Sequence, residues 1–423
     1  MTNGKQDELT RRRFCQRALA GVPLLAFGGA GLLASAAPFS MQDGKQDFDL
    51  LVKGGTVIDP GQKLHASLDV AVQNGKIVQV SKDIPASRAR QVVSADGKIV
   101  TPGLIDIHTH VYDGVGIQGL NPDHFHLTRG STTIVDAGSA GYLTIAGFRK
   151  YIVNTSATRV FAMVDIGSLG LVNGINHAME NLENVDAKAT AQAVIDNKPA
   201  TVGVKARLSK GVAGNNDLQC LRRTLQAAEA SGVPMMIHVG DTYSPLKDIL
   251  ALLRKGDILT HYLHGEAHGV HDANGKFFPE VLEARQRGVI FDVGHGSGHF
   301  SFEVAEKCQR LGFLPDTISS DVTTRTVNGP AYDLPTTLSK FLYLGMSLDD
   351  VIKTATIQPA HVFNYGAELG TLRVGTVADI AIFEVRQGQF EFTDSVGKKR
   401  TGDQKLIPAG TLRAGKLYRS IES

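Results

Sequence analysis

Cysteine is scarce in this chain of 423 residues, which contains only Cys15, Cys220 and Cys308. Small secreted domains that depend on disulfides carry many more cysteines for their length. We therefore exclude a disulfide framework. Cys220 and Cys308 lie in segments with helical patterning, and we predict that both are free thiols.

Neither sign of charge dominates, because 44 Lys and Arg residues face 42 Asp and Glu residues and the net charge is +2. No basic cluster follows the N-terminus, so we expect no nucleic-acid partner. A composition that is 42% hydrophobic and 20% charged is typical of a soluble globular protein. The length is sufficient for a barrel-sized domain and a smaller one, and we expect a small-molecule substrate.

Long apolar runs are also lacking beyond the N-terminus, where residues 18–33 are apolar, short and rich in glycine. The sequence Thr-Arg-Arg-Arg-Phe precedes this run at residues 10–14, and Ala-Ser-Ala follows it at 34–36. This order resembles a twin-arginine export signal with a small-residue cleavage site. We predict that residues 1–36 are an export signal read by the twin-arginine machinery. The location is then periplasmic, without membrane contact after cleavage, and a membrane anchor is the alternative.

Short strand-like runs separated by turn signals fill residues 48–100, and the same style returns after Gly370. Asn74-Gly75 and Asp96-Gly97 are typical of tight hairpin turns. We predict that residues 48–100 and 366–423 form one small β-sandwich domain that ends in a polar tail.

Apolar β-branched runs alternate with helical patterns between these segments, as in βα units around a parallel sheet. The candidate strands are residues 103–106, 132–136, 160–165, 202–206, 234–238, 258–261, 289–293 and 317–321. Candidate helices include residues 217–231, 279–287 and 302–311, with Gly232 and Gly288 as helix ends. Eight strands predict an α/β fold, a (β/α)8 TIM barrel over residues 101–365. In that fold the site lies at the C-terminal ends of the strands.

Polar side chains gather at the predicted strand ends. His108 and His110 are two residues apart, so in a strand both point to the same side. Neutral imidazole is a common zinc ligand. The full set is His108, His110, Lys205, His238, His261 and Asp321. Each could be a hydrogen-bonded core residue or a turn cap, whereas a metal centre explains all of them together.

Lys205 is unusual in this set, because an ammonium group inside an apolar barrel is costly and repels metal ions. The conflict disappears if CO2 carboxylates the amine, since the resulting carbamate is anionic and can bridge two metals. An ion pair between Lys205 and Asp321 is the alternative.

These residues carry a resemblance to the amidohydrolase superfamily, binuclear subtype, and within it to the dihydroorotase-like deacetylase group. The matching positions are Pro-Gly-Leu-Ile-Asp-Ile-His-Thr-His at 102–110, then Lys205, His238, Thr260-His261, Asp321 and the stretch 370–379. The resemblance covers nearly all of the chain after the signal. It implies a TIM-barrel metallohydrolase with two divalent metal ions, and zinc is the expected metal.

The resemblance also implies a division of ligands. His108, His110 and Asp321 would hold the buried ion. His238 and His261 would hold the more exposed one, and carboxylated Lys205 with a hydroxide would bridge the two.

The choice of one ligand and the identity of the catalytic residue remain to be stated. His264 competes with His261 as a ligand, and we prefer His261 because it lies directly at the strand end. Asp321 would act as the catalytic general base and then as the general acid.

Four loop residues are candidate substrate contacts: Arg207, His295, Tyr112 and Tyr332. Arg207 could bind a substrate carboxylate or form a structural salt bridge. Tyr112 could donate to an oxyanion or simply pack. In dihydroorotases an arginine that binds the substrate carboxylate stands at the position of Tyr112, so dihydroorotase activity is disfavoured.

We therefore predict a metal-dependent deacylase that cleaves an amide or ester bond of a small acylated amino acid or hydroxy acid. One alternative is a cyclic-amide hydrolase of the hydantoinase or dihydroorotase type. Another is a barrel protein that binds a metal or ligand without catalysis. Assembly into a homo-oligomer is left open.

Overall fold

The computed structural model describes residues 46–174 and 177–421, and the predicted export signal lies outside them. The strands are β1 (Phe48–Asp59), β2 (Leu64–Gln73), β3 (Lys76–Ser81), β4 (Ala89–Ser94), β5 (Ile99–Pro102), β6 (Leu104–Thr109), β7 (Ser131–Gly141), β8 (Arg159–Asp165), β9 (Thr201–Arg207), β10 (Met235–His238), β11 (Ile258–Thr260), β12 (Ile290–Asp292), β13 (Ile380–Thr393), β14 (Lys399–Arg413) and β15 (Lys416–Tyr418). The α-helices are α1 (Pro122–Phe125), α2 (Ile145–Phe148), α3 (Ala187–Asp196), α4 (Lys210–Ala213), α5 (Asp217–Ser231), α6 (Leu246–Leu250), α7 (Pro279–Arg287), α8 (Phe302–Arg310), α9 (Leu334–Tyr343), α10 (Leu348–Thr354) and α11 (Ile357–Val362).

One sheet joins strands from the two ends of the described chain, in the order β15-β14-β13-β5-β1-β2-β3, with β4 paired to β1. β13 lies antiparallel to β5, which brings the late strands beside the early ones. Asn74 and Gly75 both have left-handed φ values, 51° and 72°, and form the tight turn between β2 and β3. The two terminal segments therefore share one sheet, and their arrangement as a sandwich stays a prediction.

Two strands that the sequence did not predict, β14 and β15, continue the sheet through Tyr418, so the predicted polar tail begins no earlier than residue 419. β14 pairs with β13 along most of its length and buries Leu406, Ile407 and Leu412. Charged and polar residues between these apolar positions hide the strand pattern in the sequence.

The second sheet is parallel, in the order β12-β11-β10-β9-β8-β7-β6. These strands lie at seven of the eight predicted positions. Residues 317–321, predicted as the eighth strand, form only one isolated parallel bridge, from Thr317 to Asp292, and the next residue, Val322, forms another to Thr109. Residues 317–322 thus connect both edge strands, β12 and β6. We call them the linking segment. The result is an α/β fold with a curled parallel sheet.

Helices cover the parallel sheet and end where the sequence predicts. α5 and α7 have the predicted bounds, and α8 ends one residue early. Gly232 and Gly288 follow α5 and α7 with φ values of 67° and 91°, a conformation that glycine adopts at little cost. Cys220 and Cys308 are buried free thiols within the core that these helices form with the sheet. Among the described residues, no helix is both long enough and apolar enough to cross a bilayer.

Candidate metal centre

The six predicted ligands meet at the C-terminal ends of the parallel strands. They are His108 and His110 at the end of β6, Lys205 near the end of β9, His238 at the end of β10, His261 directly after β11, and Asp321 in the linking segment. His238 is half-buried, and the other five are at most 8% exposed.

His108 is held in one tautomer by a chain of hydrogen bonds. Its Nδ1 lies 2.9 Å from the hydroxyl oxygen of Thr260, and that hydroxyl donates to Asp292 Oδ2 at 2.7 Å. Because the hydroxyl proton is used on Asp292, the Thr260 oxygen accepts a proton from His108 Nδ1. The lone pair of His108 therefore lies on Nε2, which faces Asp321 Oδ1 at 3.6 Å.

His110 is oriented in the same way by Ser139. Its Nδ1 lies 3.0 Å from the Ser139 hydroxyl, which is itself hydrogen-bonded to the buried carboxylate of Asp136. The lone pair on His110 Nε2 then points at Asp321 Oδ1, 3.2 Å away. Two imidazole lone pairs and a carboxylate oxygen therefore converge at a site that is almost inaccessible to solvent. Acceptors in this arrangement repel one another unless a cation lies between them.

A second cluster contains His238, His261 and His299. The Nδ1 of His261 donates to the carbonyl of Gly294 at 2.5 Å, and its Nε2 is buried without a hydrogen-bond partner among the described residues. His238 Nε2 lies 3.0 Å from the Ser209 hydroxyl. One ligand atom from each of the three histidines lies within 4.8 Å of the others, and the same holds for His108, His261 and Asp321. His261 therefore stands between the two clusters.

Burial keeps His108, His238 and His261 neutral. It lowers the pKa values of His108, His238 and His261 well below the usual range, and the neighbouring positive groups add to the effect. Neutral imidazole is the form that ligates metals, so the electrostatics and the geometry agree.

Lys205 lies at the base of the centre and is fully buried. Its Nζ is 3.2 Å from His108 Nε2 and 3.2 Å from the sulfur of Met236. Within the described chain it has no carboxylate at ion-pair distance, so the alternative of an ion pair with Asp321 is not formed. Burial lowers the pKa of Lys205 to about 7, so much of the amine is neutral at physiological pH.

The backbone is strained at two of the ligands. His261 has φ 73° and Asp321 has φ 46°, left-handed values that are uncommon outside glycine. Such conformations cost on the order of 1–3 kcal/mol each and are concentrated at functional sites. Gly296 contacts Asp321 so closely that a Cβ there would lie 2.3 Å from Asp321 Oδ2.

A cavity of about 300 Å³ opens onto these groups, and its walls include His110, His238, His299 and Arg207. The Arg207 Nε lies 3.6 Å from Asp165 Oδ2, the structural salt bridge considered from the sequence, yet Nε and Nη2 are both buried without hydrogen-bond partners among residues 46–174 and 177–421. Unsatisfied guanidinium groups beside a small cavity suit an anionic part of a ligand. A larger basic groove of about 1190 Å³ lies elsewhere and has none of these histidines in its walls.

His295 does not face this cavity, contrary to the prediction that it contacts substrate. It is fully buried, its Nε2 lies 2.6 Å from Lys340 Nζ, and its ring stacks on Phe300. Its Nδ1 is engaged as well, 3.0 Å from the carbonyl of Gly296. The buried Lys340 amine needs hydrogen-bond acceptors, and His295 is one of them.

The two predicted tyrosine contacts also lie away from the cavity walls. Tyr112 is 5% exposed, and its ring packs edge-on against Phe148 at 5.2 Å, the packing alternative considered from the sequence. Tyr332 is 36% exposed and borders Gly329. His264 belongs to neither histidine cluster, and its Nδ1 accepts from the backbone of Glu266 at 3.2 Å.

The sequence did not predict the residues that orient the predicted ligands, namely Thr260, Asp292, Ser139 and Ser209; Thr260 was noted only as part of the family resemblance. His299 was not predicted either. His299 carried a signal, because it lies four residues after His295 in the same glycine-rich loop. The hydroxyl residues had no signal that separates them from ordinary strand residues.

Comparison with known proteins decides the family. The amidohydrolase family profile matches residues 99–416, about three-quarters of the chain. The chain belongs to the amidohydrolase family. This confirms the predicted family and the predicted hydrolase class. The family generally uses a divalent metal centre, and the two clusters described above are groups that could hold one.

Curated relatives of this amidohydrolase include a deacetylase of Enterococcus faecalis, 33% identical over 375 residues, which cover 88% of this chain and 99% of the relative. A deacetylase of Agrobacterium fabrum is 33% identical over 335 residues, 78% of this chain and 82% of the relative. A dihydroorotase of Aquifex aeolicus is 26% identical, over 79% of this chain and 89% of the relative.

Solved structures with similar folds include one described as an adenine deaminase, with a TM-score of 0.82 and 33% identity over 88% of this chain and all of that one. A dihydroorotase has a TM-score of 0.80 and 29% identity over the same shares. A D-hydantoinase, with a TM-score of 0.62 and 16% identity over 88% of this chain and 95% of that one, shows the fold alone. These neighbours imply a fold of the TIM-barrel type.

Proposed function

We propose that the chain is a two-metal deacylase that hydrolyses the amide or ester bond of a small acylated amino acid or hydroxy acid. One observation carries this proposal. The lone pairs of His108 and His110 and a carboxylate oxygen of Asp321 converge within 3.6 Å at the mouth of a small cavity. Relatives named deacetylases over most of their length support the acyl substrate.

The ligand assignment follows the two clusters. His108, His110 and Asp321 would hold one cation, and His238 and His261 the other. Two divalent cations, with zinc expected, would polarise a carbonyl group and make water nucleophilic near neutral pH. The neutral amine of Lys205 is the form that adds CO2, and its carbamate would supply an oxygen ligand to each cation. No carboxylate of the described residues lies at ion-pair distance from the Lys205 amine, which supports this assignment.

Asp321 is placed to move the proton of the reaction. One oxygen, Oδ1, faces the histidines, while Oδ2 lies against Gly296 at the cavity wall. Asp321 would accept the proton of the attacking water and deliver it to the leaving nitrogen or oxygen. Arg207 would pair with the substrate carboxylate through its unsatisfied N–H groups.

A cyclic-amide hydrolase is the second candidate, favoured by the dihydroorotase relatives and structural neighbour. Tyr112 argues against it, because a packed tyrosine replaces the arginine that the resemblance leads one to expect there. The same metal-ligand set would serve both reactions, so only assays with the two classes of substrate distinguish the two candidate functions.

Three finer points belong to this proposal. The curled sheet and linking segment would form the (β/α)8 barrel over residues 101–365, with the mixed sheet as the β-sandwich domain. The twin-arginine pattern at residues 10–14 supports export to the periplasm before the signal is removed. Assembly into homo-oligomers would leave the site as described.

The test is acetate release from N-acetyl amino acids and O-acetyl hydroxy acids, both enantiomers, by zinc-loaded protein supplied with bicarbonate. Dihydroorotate, hydantoins and adenine form the comparison panel. We expect acetate release from at least one acyl compound and its loss on chelation. Turnover of a cyclic amide alone would favour the second candidate. With two metals bound, no turnover of any compound would indicate a non-catalytic binding protein.

A further inference from the structure

His299 lies outside the ligand set that the family resemblance implies, yet it is beside the more exposed histidine pair. Its ring centroid is 4.2 Å from that of His261 and 4.6 Å from that of His238. These separations match the 4.3 Å between His238 and His261 themselves. The three rings therefore surround one point, and each brings a ligand atom to within 4.8 Å of the others.

The surroundings of His299 leave its ring free for a ligand. Its Nδ1 is buried and has no hydrogen-bond partner in the described part of the chain, although a buried ring nitrogen is normally paired. Gly240 makes room for the ring, because a Cβ at that position would lie 3.1 Å from His299 Nδ1. The ring also borders the cavity that opens onto the centre.

The loop that carries His299 is held firmly at its start. The backbone amides of His295 and Gly296 donate to carbonyls of the linking segment at 3.2 and 3.1 Å. His295 also bonds to the buried Lys340, which donates to the carbonyls of Pro330 and Thr393. His295 thus has an anchoring role in the loop whose later residue, His299, reaches the centre. Preorganised side chains of this kind make good ligands.

We propose that His299 is a third imidazole ligand of the cation held by His238 and His261. This inference rests on the proposed two-metal function. The two cations would then differ in their donors, because the first has carboxylate oxygen and the second is rich in nitrogen. Imidazole-rich sites suit zinc and its late first-row neighbours, so the second site would bind Co²⁺ or Zn²⁺ in preference to Mn²⁺.

The experiment titrates metal-free full-length protein with Co²⁺, followed by visible absorption, and measures bound metal by mass spectrometry. The variants are His238→Asn, His299→Asn and His299→Cys. His264→Asn is the matched control, since His264 is a neighbouring buried histidine outside both clusters. Circular dichroism checks that each variant is folded.

We expect His299→Asn to weaken one of the two cobalt sites by at least about 10-fold while His264→Asn leaves both unchanged. His299→Cys should retain both equivalents and acquire a thiolate-to-cobalt charge-transfer band, which only a coordinated cysteine produces. This band keeps the proposal testable even if His299→Asn folds poorly.

Two results would overturn the inference, and they differ in what else they affect. If His238→Asn loses a cobalt equivalent but both His299 variants bind like wild type and His299→Cys shows no new band, His299 is not a ligand and the two-metal function stands. A raised KM in those variants would then identify it as a substrate contact. If His238→Asn also binds both equivalents unchanged, the assignment of His238 to the second cation is wrong, and the inference fails with it. Wild-type protein that binds fewer than two equivalents would instead contradict the two-metal function.

Discussion

Replacing Thr260 by valine tests whether the hydrogen bonds behind the ligands control metal binding. Thr260 and valine have nearly the same shape, so packing is conserved. The substitution removes the acceptor of His108 Nδ1 and the donor to Asp292 Oδ2, contacts of 2.9 and 2.7 Å. His108 is then free to adopt the other tautomer, in which Nε2 carries a proton and cannot bind a metal.

The expected magnitude follows from these two contacts. Loss of a partner that orients a metal-binding histidine typically weakens metal affinity about 10- to 100-fold. A buried carboxylate that loses one hydrogen bond also costs about 1–3 kcal/mol of folding free energy. The stability loss alone cannot identify the role of Thr260, so a variant with a similar loss is needed.

Thr317→Val is that variant. The Thr317 hydroxyl donates to the other oxygen of Asp292 at 2.7 Å, and in the part of the chain that the structure describes it has no hydrogen bond to a histidine. Metal affinity is measured by competition with a chelator, and the free energy of unfolding by urea denaturation. We expect both variants to lose stability similarly and only Thr260→Val to lose metal affinity. Equal affinity losses in the two variants, or none in Thr260→Val, would refute the reasoning.

Two further predictions concern the substrate and the pH dependence of folding. Arg207→Met should raise KM for substrates with a carboxylate about 10- to 100-fold, because a charge-assisted hydrogen bond is lost, and should spare neutral acyl esters. Equal effects on both substrate types in steady-state kinetics would contradict this. Burial lowers the pKa of His126 from 6.5 to about 3. Between these two pH values His126 is therefore protonated in the unfolded chain and neutral in the folded chain. As the pH decreases, the free energy of unfolding of wild type should therefore fall by about 1.4 kcal/mol per pH unit more than that of His126→Gln. Identical slopes of urea stability between pH 6 and 4.5 would contradict this assignment.

The parallel strands could be predicted because their apolar β-branched runs are separated by clear helical patterns. α5 and α7 were predictable to the residue, since Gly232 and Gly288 end them. The irregular backbone of the linking segment could not be predicted, because its polar residues form hydrogen bonds to buried carboxylates. The hydroxyls of Ser319 and Ser320 donate to Asp292 and Asp106, respectively. Only the folded chain brings these partners together.

The convergence of the six predicted ligand residues could be anticipated because strand ends of a parallel sheet share one edge, whatever the loops do. Loop residues had no such constraint. His295 and His299 lie in one glycine-rich loop, and nothing local distinguishes the histidine that anchors to Lys340 from the one that faces the centre. Burial and the position of Lys340 decide it, and both depend on distant segments.

The proposed mechanism depends on Asp321, which would move the proton at a metal-dependent hydrolytic centre. We would compare turnover of the best substrate by wild type and Asp321→Asn, with bound metal determined on the same samples. We expect turnover to fall at least about 100-fold, because the proton acceptor is lost, while at least one cation stays bound. Unchanged turnover with metal bound would show that Asp321 does not move the proton.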